Sequence, residues 1–237
     1  MSTDQIVTRR RFLASVSGAG VGLLVGVPGA RAEEKDDEEV VTASEDLMRE
    51  HGIIRRALLV YTEVARRARK APKSVLLPSL GEAAKLFREF AEDYHERALE
   101  EAYIFPVVRR VQGRVAQLPD VLLAQHRRGR EITDYVQGLA SKRTLSPADA
   151  ERLATSLDAF IRMYGPHAAF EDTEVFPAWK VALGGHSYAE MGEQFEEIEY
   201  KTFGRDGFDD ALARIKRIEE AFGLADLAAL TAPPPPR

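Results

Sequence analysis

The chain has 237 residues, of which 45% are hydrophobic and 30% are charged, a composition typical of a globular protein. Its formal net charge of −5 argues against nucleic acid as a partner, because domains that bind nucleic acid carry a basic surface. The absence of cysteine excludes disulfides, iron–sulfur clusters and thiolate zinc sites, so any bound metal must be held by nitrogen and oxygen ligands.

Residues 1–32 have the three parts of an export signal. Three arginines followed by Phe-Leu occupy 9–13, an apolar stretch rich in glycine, alanine and valine covers 14–27, and an A-x-A cleavage site ends at Ala32. This arrangement resembles a twin-arginine signal peptide, which implies the twin-arginine translocase as a partner and a periplasmic or otherwise exported location. The apolar stretch is short for a membrane span, and we expect no stable span in the mature chain.

Four long helices are predicted between residues 45 and 183. Apolar residues recur at helical spacing in four stretches, at 47–70, 80–105, 121–140 and 147–179. Ser146 offers an N-cap to the fourth helix, with proline in its first turn. No stretch has the two-residue alternation of a strand, so the predicted fold class is all-α, an antiparallel four-helix bundle.

The segments outside the bundle are predicted from composition and periodicity. Residues 33–44 begin with an acidic run and are predicted to be a disordered linker. Residues 184–224 contain two further amphipathic stretches, which predict a C-terminal helical extension packed outside the bundle. The proline-rich residues 225–237 are predicted to be a disordered tail.

The second and fourth helices contain two stretches that repeat each other. Each has a histidine, an acidic pair and a Phe-Pro dipeptide, in HERALEEAYIFP at 95–106 and HAAFEDTEVFP at 167–177. The first and third helices each supply one more histidine, His51 and His126. Four of the five histidines therefore lie in two matched halves of the chain.

This pattern predicts a metal site in the bundle core. Side chains four residues apart on an α-helix lie on one face, so His167 and Glu171 can share a metal, and bundle cores are known places for dinuclear sites. The alternative interpretation is four hydrogen-bonded core histidines without a metal. Burying four imidazoles with carboxylates is costly without a compensating charge, which favours the metal.

The order histidine, histidine–glutamate, histidine, histidine–glutamate, with Phe-Pro after each carboxylate, resembles the hemerythrin-like cation-binding family over about residues 47–179. The resemblance implies an antiparallel four-helix bundle around two non-haem iron ions, with manganese or zinc as less favoured metals. By motif, the implied ligands are His51, His95, Glu100, His126, His167 and Glu171.

The sequence departs from the family pattern in the second helix. His95 and Glu100 are five residues apart rather than four, so they converge only if the helix is locally distorted, for example by a π-bulge. Glu101 is the alternative ligand in this helix, and Asp172 is the corresponding alternative in the fourth helix.

A second departure concerns the third helix. Oxygen-carrying hemerythrins have an additional histidine there, at a position that corresponds to Leu122 or Arg130 in this chain. Its absence leaves coordination positions for water, substrate or a nearby side chain, with Tyr94, Tyr103 and Tyr164 as candidates. The basic run 127–130 is otherwise predicted to be a solvated helix face.

Three classes of function follow from the resemblance. The first is the binding, sensing or scavenging of O₂, NO or peroxide at the iron pair. The second is a small di-iron oxidase or peroxidase that uses the open coordination positions. The third is iron storage, or a bundle in which the metal is structural.

Overall fold

Helices account for every regular element in the part of the chain that the computed structural model describes, residues 41–236, and the all-α prediction is confirmed. The predicted signal peptide at 1–32 and residues 33–40 of the predicted linker lie outside the described residues. Within residues 41–236, no helix is both long enough and apolar enough to cross a membrane.

Six long helices follow one another in the described residues. The first is α1 (Ala43–Lys70), and α2 is a continuous helix that begins as an α-helix (Leu77–Leu86), becomes π-helical (Phe87–Ile104) and ends in one α-helical turn (Phe105–Val108). The others are α3 (Leu118–Ala140), α4 (Pro147–Phe170, π-helical at Glu171–Val175, then Phe176–Leu183), α5 (Gly185–Phe203) and α6 (Gly207–Phe222). Short 3₁₀ turns lie at Pro72–Ser74, Arg114–Gln117 and Leu227–Leu230.

Helices α1 to α4 form the predicted bundle. Helix α1 packs against α2 and α4, and α3 packs against the same two helices, so the four close a ring. Short connections at 71–76, 109–117 and 141–146 make consecutive helices antiparallel. Ser146 caps α4 as predicted, because its Oγ accepts the backbone N–H of Asp149 at 3.1 Å.

A layer of buried aromatic rings fills the bundle next to the histidines. Tyr61, Phe87, Phe160 and Tyr164 contact one another with ring centroids 4.5 to 6.0 Å apart. All four side chains are at most 2% exposed. Such aromatic contacts stabilise the core and hold the backbones of α1, α2 and α4 in register around the polar residues.

The C-terminal helices cover one side of the bundle. Helix α5 packs against α1, α2 and the end of α4, and α6 packs against α1 and α2. The buried ring of Trp179 in α4 stacks on Phe195 of α5, with centroids 5.7 Å apart and planes 2° from parallel. At α6, Arg56 donates to the carboxylate of Glu219, with Nε 2.8 Å from Oε1.

Both Phe-Pro motifs lie where a π-helical segment ends. The N–H of Phe105 donates to the carbonyl of Glu100, five residues earlier, and the N–H of Phe176 donates to the carbonyl of Glu171. The following proline has no N–H and its ring crowds the carbonyl four residues before it, which favours this wider turn. The distortion predicted between His95 and Glu100 is therefore confirmed.

Candidate metal centre

The six predicted ligands converge at one point in the bundle core. Helices α1 and α3 contribute one histidine each, whereas α2 and α4 contribute a histidine and a glutamate each. All six side chains are at most 4% exposed. We call this set the histidine–glutamate cluster: His51, His95, Glu100, His126, His167 and Glu171.

One half of the cluster is formed by His51 and His95. Their Nε2 atoms lie 3.0 Å apart. Glu171 Oε2 is 3.5 Å from His51 Nε2, and Glu100 Oε1 is 3.3 Å from His95 Nε2. Two nitrogens and two carboxylate oxygens thus surround what we call the His51 position.

The other half has the same arrangement around His126 and His167, whose Nε2 atoms lie 3.1 Å apart. Glu100 Oε2 is 3.4 Å from His126 Nε2, and Glu171 Oε1 is 3.1 Å from His167 Nε2. These four atoms surround the His126 position. Each glutamate therefore directs one oxygen to each position, so either carboxylate could contribute a ligand atom to both.

The two alternative ligands lie outside this centre, behind histidines. Asp172 Oδ1 is 2.7 Å from His51 Nδ1, and Glu101 Oε1 is 3.0 Å from His126 Nδ1. In each acidic pair the first residue faces the centre and the second accepts a hydrogen bond from the far side of a histidine ring.

The remaining two histidines are held in the same way. Glu50 Oε2 is 2.6 Å from His95 Nδ1, and Gln125 Oε1 is 2.8 Å from His167 Nδ1. Because each Nδ1 faces an oxygen acceptor, it carries the proton, and all four Nε2 atoms are directed at the centre. Such outer hydrogen bonds fix the tautomer and orientation of histidines that bind metals.

The geometry fits a cation. All four carboxylate oxygens of Glu100 and Glu171 are buried without a hydrogen-bond donor, and they face four Nε2 atoms across distances of 3.1 to 3.5 Å. Lone pairs that face one another in a buried site are costly unless positive charge lies between them. Two groups of ligand atoms meet this need, each with atoms within 4.8 Å of one another: His51, His95 and Glu100, and Glu100, His126, His167 and Glu171.

The pKa of His126 is raised and that of Glu171 is lowered, so both shifts favour the charged form of the side chain. Burial lowers the pKa of His126, but the carboxylates of Glu96, Glu100 and Glu101 outweigh it and raise this pKa to about 10. Burial raises the pKa of Glu171, yet the neighbouring His167 and His51 bring it well below its usual range. The centre therefore favours ionised carboxylates and bound positive charge.

Comparison with known proteins agrees with this site. The model of the hemerythrin HHE cation-binding domain matches residues 42–179. The chain belongs to this family. It is also 39% identical over 235 residues to uncharacterized proteins of Mycobacterium tuberculosis and Mycobacterium bovis, an alignment that covers 95% of this chain and 91% of theirs. No solved structure matches the chain significantly.

Two phenylalanines of the family's Phe-Pro motifs cover the histidines. Phe105 stacks on the ring of His126, with centroids 5.4 Å apart, and Phe176 stacks on His51 at 5.5 Å. Both phenylalanines are fully buried. They keep water from these two imidazoles and restrict their rotation.

Sequence reasoning missed the outer residues. Glu50 and Gln125 directly precede a predicted ligand, and Arg55 and Arg130 follow the same ligands by four residues. Each arginine donates to the acid behind its histidine, Arg55 to Asp172 and Arg130 to Glu101. The sequence contained a signal for these residues. Glu50 and Gln125 are 75 residues apart, as are Arg55 and Arg130, and this is also the interval between His51 and His126.

The prediction of a solvated face at 127–130 is wrong for Arg130. Its side chain is only 12% exposed, and its Nη2 lies 3.1 Å from Glu96 Oε2. The three tyrosines make other contacts. The Tyr164 hydroxyl donates to Glu96 at 2.5 Å while its ring lies beside His167, with centroids 5.2 Å apart, and Tyr94 and Tyr103 pack on rings of α5.

A second buried polar group lies one turn before His95. Glu92 is fully buried, accepts the hydroxyl of Thr133 at 2.6 Å and has Arg88 Nη1 at 2.9 Å. Burial raises the pKa of Glu92 to about 7, against the opposing effects of Thr133, Arg88 and Arg130. The other titratable groups around it are Tyr61, Asp93, Glu96 and Tyr164.

This carboxyl group makes stability depend on pH. The pKa of Glu92 in the folded protein lies above the ordinary value of 4.5. Its contribution to the free energy of unfolding is therefore fully present below pH 4.5 and is lost as pH rises through about 7. Glu92→Gln keeps the side chain neutral. We expect its free energy of unfolding, relative to wild type, to rise between pH 4.5 and 8 by up to roughly 3 kcal/mol.

Urea unfolding across this pH range tests the prediction, with the exposed Glu82→Gln of the same helix as the control. The control is expected to follow the wild-type pH profile. Parallel profiles for Glu92→Gln and wild type would show that Glu92 keeps an ordinary pKa.

Gly129 of α3 makes room for the Tyr164 hydroxyl. A Cβ added at Gly129 would clash with that oxygen and lie 3.0 Å from two ring carbons. Gly129→Ala must therefore displace a rigid, buried ring and break its hydrogen bond to Glu96. Overpacking of this kind costs about 1–3 kcal/mol, and we expect thermal unfolding to show a loss of that size.

Gly138→Ala in the same helix is the matched control, because its Cβ would meet no atom within 4 Å. That substitution is expected to stabilise the protein by roughly 0.5–1 kcal/mol, the usual gain when alanine replaces glycine in a helix. Adding Tyr164→Phe to Gly129→Ala removes the closest clash and should recover part of the loss.

Proposed function

We propose that the histidine–glutamate cluster holds two iron ions and that the protein binds, senses or scavenges O₂, NO or peroxide there. The main support for this proposal is that both glutamates direct one oxygen to each histidine pair. All four of these oxygens are buried and have no hydrogen-bond donor. An iron pair supplies reversible electron transfer and open coordination positions for a small oxygen-containing ligand.

The ligand set supports small-molecule chemistry over a closed structural site. The His126 position has four donor atoms within 4.8 Å of one another, whereas the His51 position has three, from His51, His95 and Glu100, with an oxygen of Glu171 3.5 Å from His51 Nε2. The fifth histidine of the chain, His186, lies on α5 with 90% of its side chain exposed, so it is not part of the buried centre. Iron that accepts six ligands would keep positions for an external molecule at both sites.

The surrounding residues would protect that chemistry. The stacked rings of Phe105 and Phe176 keep water from two of the histidines, and the aromatic layer beside the cluster closes the bundle core. Three outer carboxylates and the amide oxygen of Gln125 hold the Nδ1 protons in place, so each imidazole would present Nε2 to the metal in one orientation.

Anaerobic loading with Fe²⁺, followed by O₂ or peroxide, distinguishes the functional classes. Oxygen uptake that reverses when O₂ is removed supports binding or sensing. Repeated peroxide consumption with a reductant supports scavenging, or the alternative of a small oxidase or peroxidase. Iron that is taken up in amounts well above two ions per chain supports storage instead.

We further propose that the protein is exported by the twin-arginine pathway, on the strength of residues 1–32 alone. Export of a folded chain would let the metals be inserted before translocation. Replacing Arg9 and Arg10 by lysine should retain the protein in the cytoplasm. Unchanged export of that variant would count against the pathway.

A further inference from the structure

The outer hydrogen bonds of the cluster follow a twofold pattern with one break. The residue before the α1 histidine binds the α2 histidine, and the residue before the α3 histidine binds the α4 histidine. In the first half this residue is Glu50, and in the second it is Gln125. One histidine thus has a carboxylate behind it where its counterpart has a neutral amide.

We propose that this difference makes the two metal positions unequal, so that the His51 position binds its metal more tightly and is filled first. Glu50 and Gln125 are then the positioning residues that set the order. The inference rests on the proposed two-metal site and specifies how that site is loaded.

The physical reason lies in the hydrogen bond that the Nδ1–H group of each histidine donates. A carboxylate acceptor carries a full negative charge, makes a stronger hydrogen bond than an amide oxygen and increases the basicity of the ring. His95 has Glu50 at 2.6 Å, whereas His167 has the oxygen of Gln125 at 2.8 Å. Nε2 of His95 is therefore the stronger donor to a divalent cation.

The second histidine of each position, His51 in one and His126 in the other, also favours tighter binding at the His51 position. Asp172 holds His51 with the help of Arg55, whose side chain is 45% exposed and hence partly screened by water. Glu101 holds His126 but shares its charge with Arg130, which is 12% exposed. A less solvated cation draws more of the carboxylate's charge away from the imidazole.

Glu96 is the remaining charged group beside the His126 position. Its Oε2 lies 3.9 Å from His126 Nδ1, too far for a hydrogen bond. Tyr164 and Arg130 already donate to this carboxylate. Its charge acts on His126 through space and is shared with its two donors, and it does not supply His167 with the carboxylate acceptor that Gln125 lacks.

The consequence is a site with one retained and one exchangeable metal. Both glutamates of the cluster reach both positions, so the first ion bound at the His51 position would orient their second oxygens for the other. Partial loading should give a mixture dominated by the chain with the His51 position filled.

A reciprocal exchange of the two residues tests the proposal. The full-length protein, freed of metal, is titrated with Co²⁺ by calorimetry and by visible absorption, without O₂ or peroxide. Wild type should bind two ions in two resolved steps. Glu50→Gln should weaken the tighter step by roughly 10- to 100-fold, the usual effect of losing an outer hydrogen-bond partner of a metal ligand.

Gln125→Glu should instead tighten the weaker step, and the double exchange Glu50→Gln with Gln125→Glu should restore two resolved steps. Because Gln125→Glu adds a charge rather than removing one, it gives an independent answer if Glu50→Gln unfolds. Glu131→Gln, exposed on α3, is the control and should match wild type.

The outcomes separate the two proposals. Two equal steps in wild type, or two steps that neither exchange alters, would overturn the inequality and leave the two-metal site standing. Failure of the folded wild-type protein to bind two ions would overturn the proposed function itself.

Discussion

Glu171→Gln is expected to leave the protein folded but unable to hold two metal ions. Glutamine keeps the shape of the side chain but places an NH₂ group against Nε2 of either His51 or His167, where a ligand oxygen is needed. It also removes one of the two negative charges of the centre. The affinity for the second ion should fall by about 100-fold or more, beyond the effect of outer-partner losses.

Metal analysis after dialysis measures this effect, and circular dichroism checks that the helices remain. Glu174→Gln is the matched control, since Glu174 is exposed three residues further along α4. The control should retain the wild-type metal content. Two ions retained by Glu171→Gln would contradict the bridging role assigned to this carboxylate.

Trp179→Ala is expected to have the largest effect on stability. The indole is fully buried at the end of α4, stacks on Phe195 and meets the edge of Tyr188 at 5.4 Å. Its removal leaves a large cavity between the bundle and α5. Substitutions of this type cost about 3–5 kcal/mol, and we expect a loss of that size in urea unfolding.

The same substitution should loosen α5 from the bundle. Hydrogen exchange of residues 185–203 should accelerate more than exchange in the centre of α1. Val181→Ala is the control, because Val181 is 82% exposed and its loss should change stability by less than about 0.5 kcal/mol. Equal stability of the two variants would show that α5 is not anchored through Trp179.

Local patterns predicted the bundle and the membership of the cluster. Histidines and carboxylates at matched intervals on four apolar helices could face only inward, since each lies among core residues. The five-residue step from His95 to Glu100 even predicted a distorted helix, and the π-helical segment Phe87–Ile104 contains both residues.

Contacts between helices determine the features that local patterns did not predict. The choice between Glu100 and Glu101 depends on how far the π-helix rotates each side chain, which spacing alone leaves open. The roles of Glu50 and Gln125 depend on contacts with histidines of another helix, 45 and 42 residues away. Arg130 looked like surface charge because its partners, Glu96 and Glu101, lie on a different helix.

The most direct test of the central claim is the metal content of the purified full-length protein, measured anaerobically and followed by its visible absorption in air. The proposed function predicts two iron ions per chain and new absorption bands on oxidation. Zinc in their place, or a folded protein without metal, would contradict an iron pair and reduce the buried histidines to a structural role.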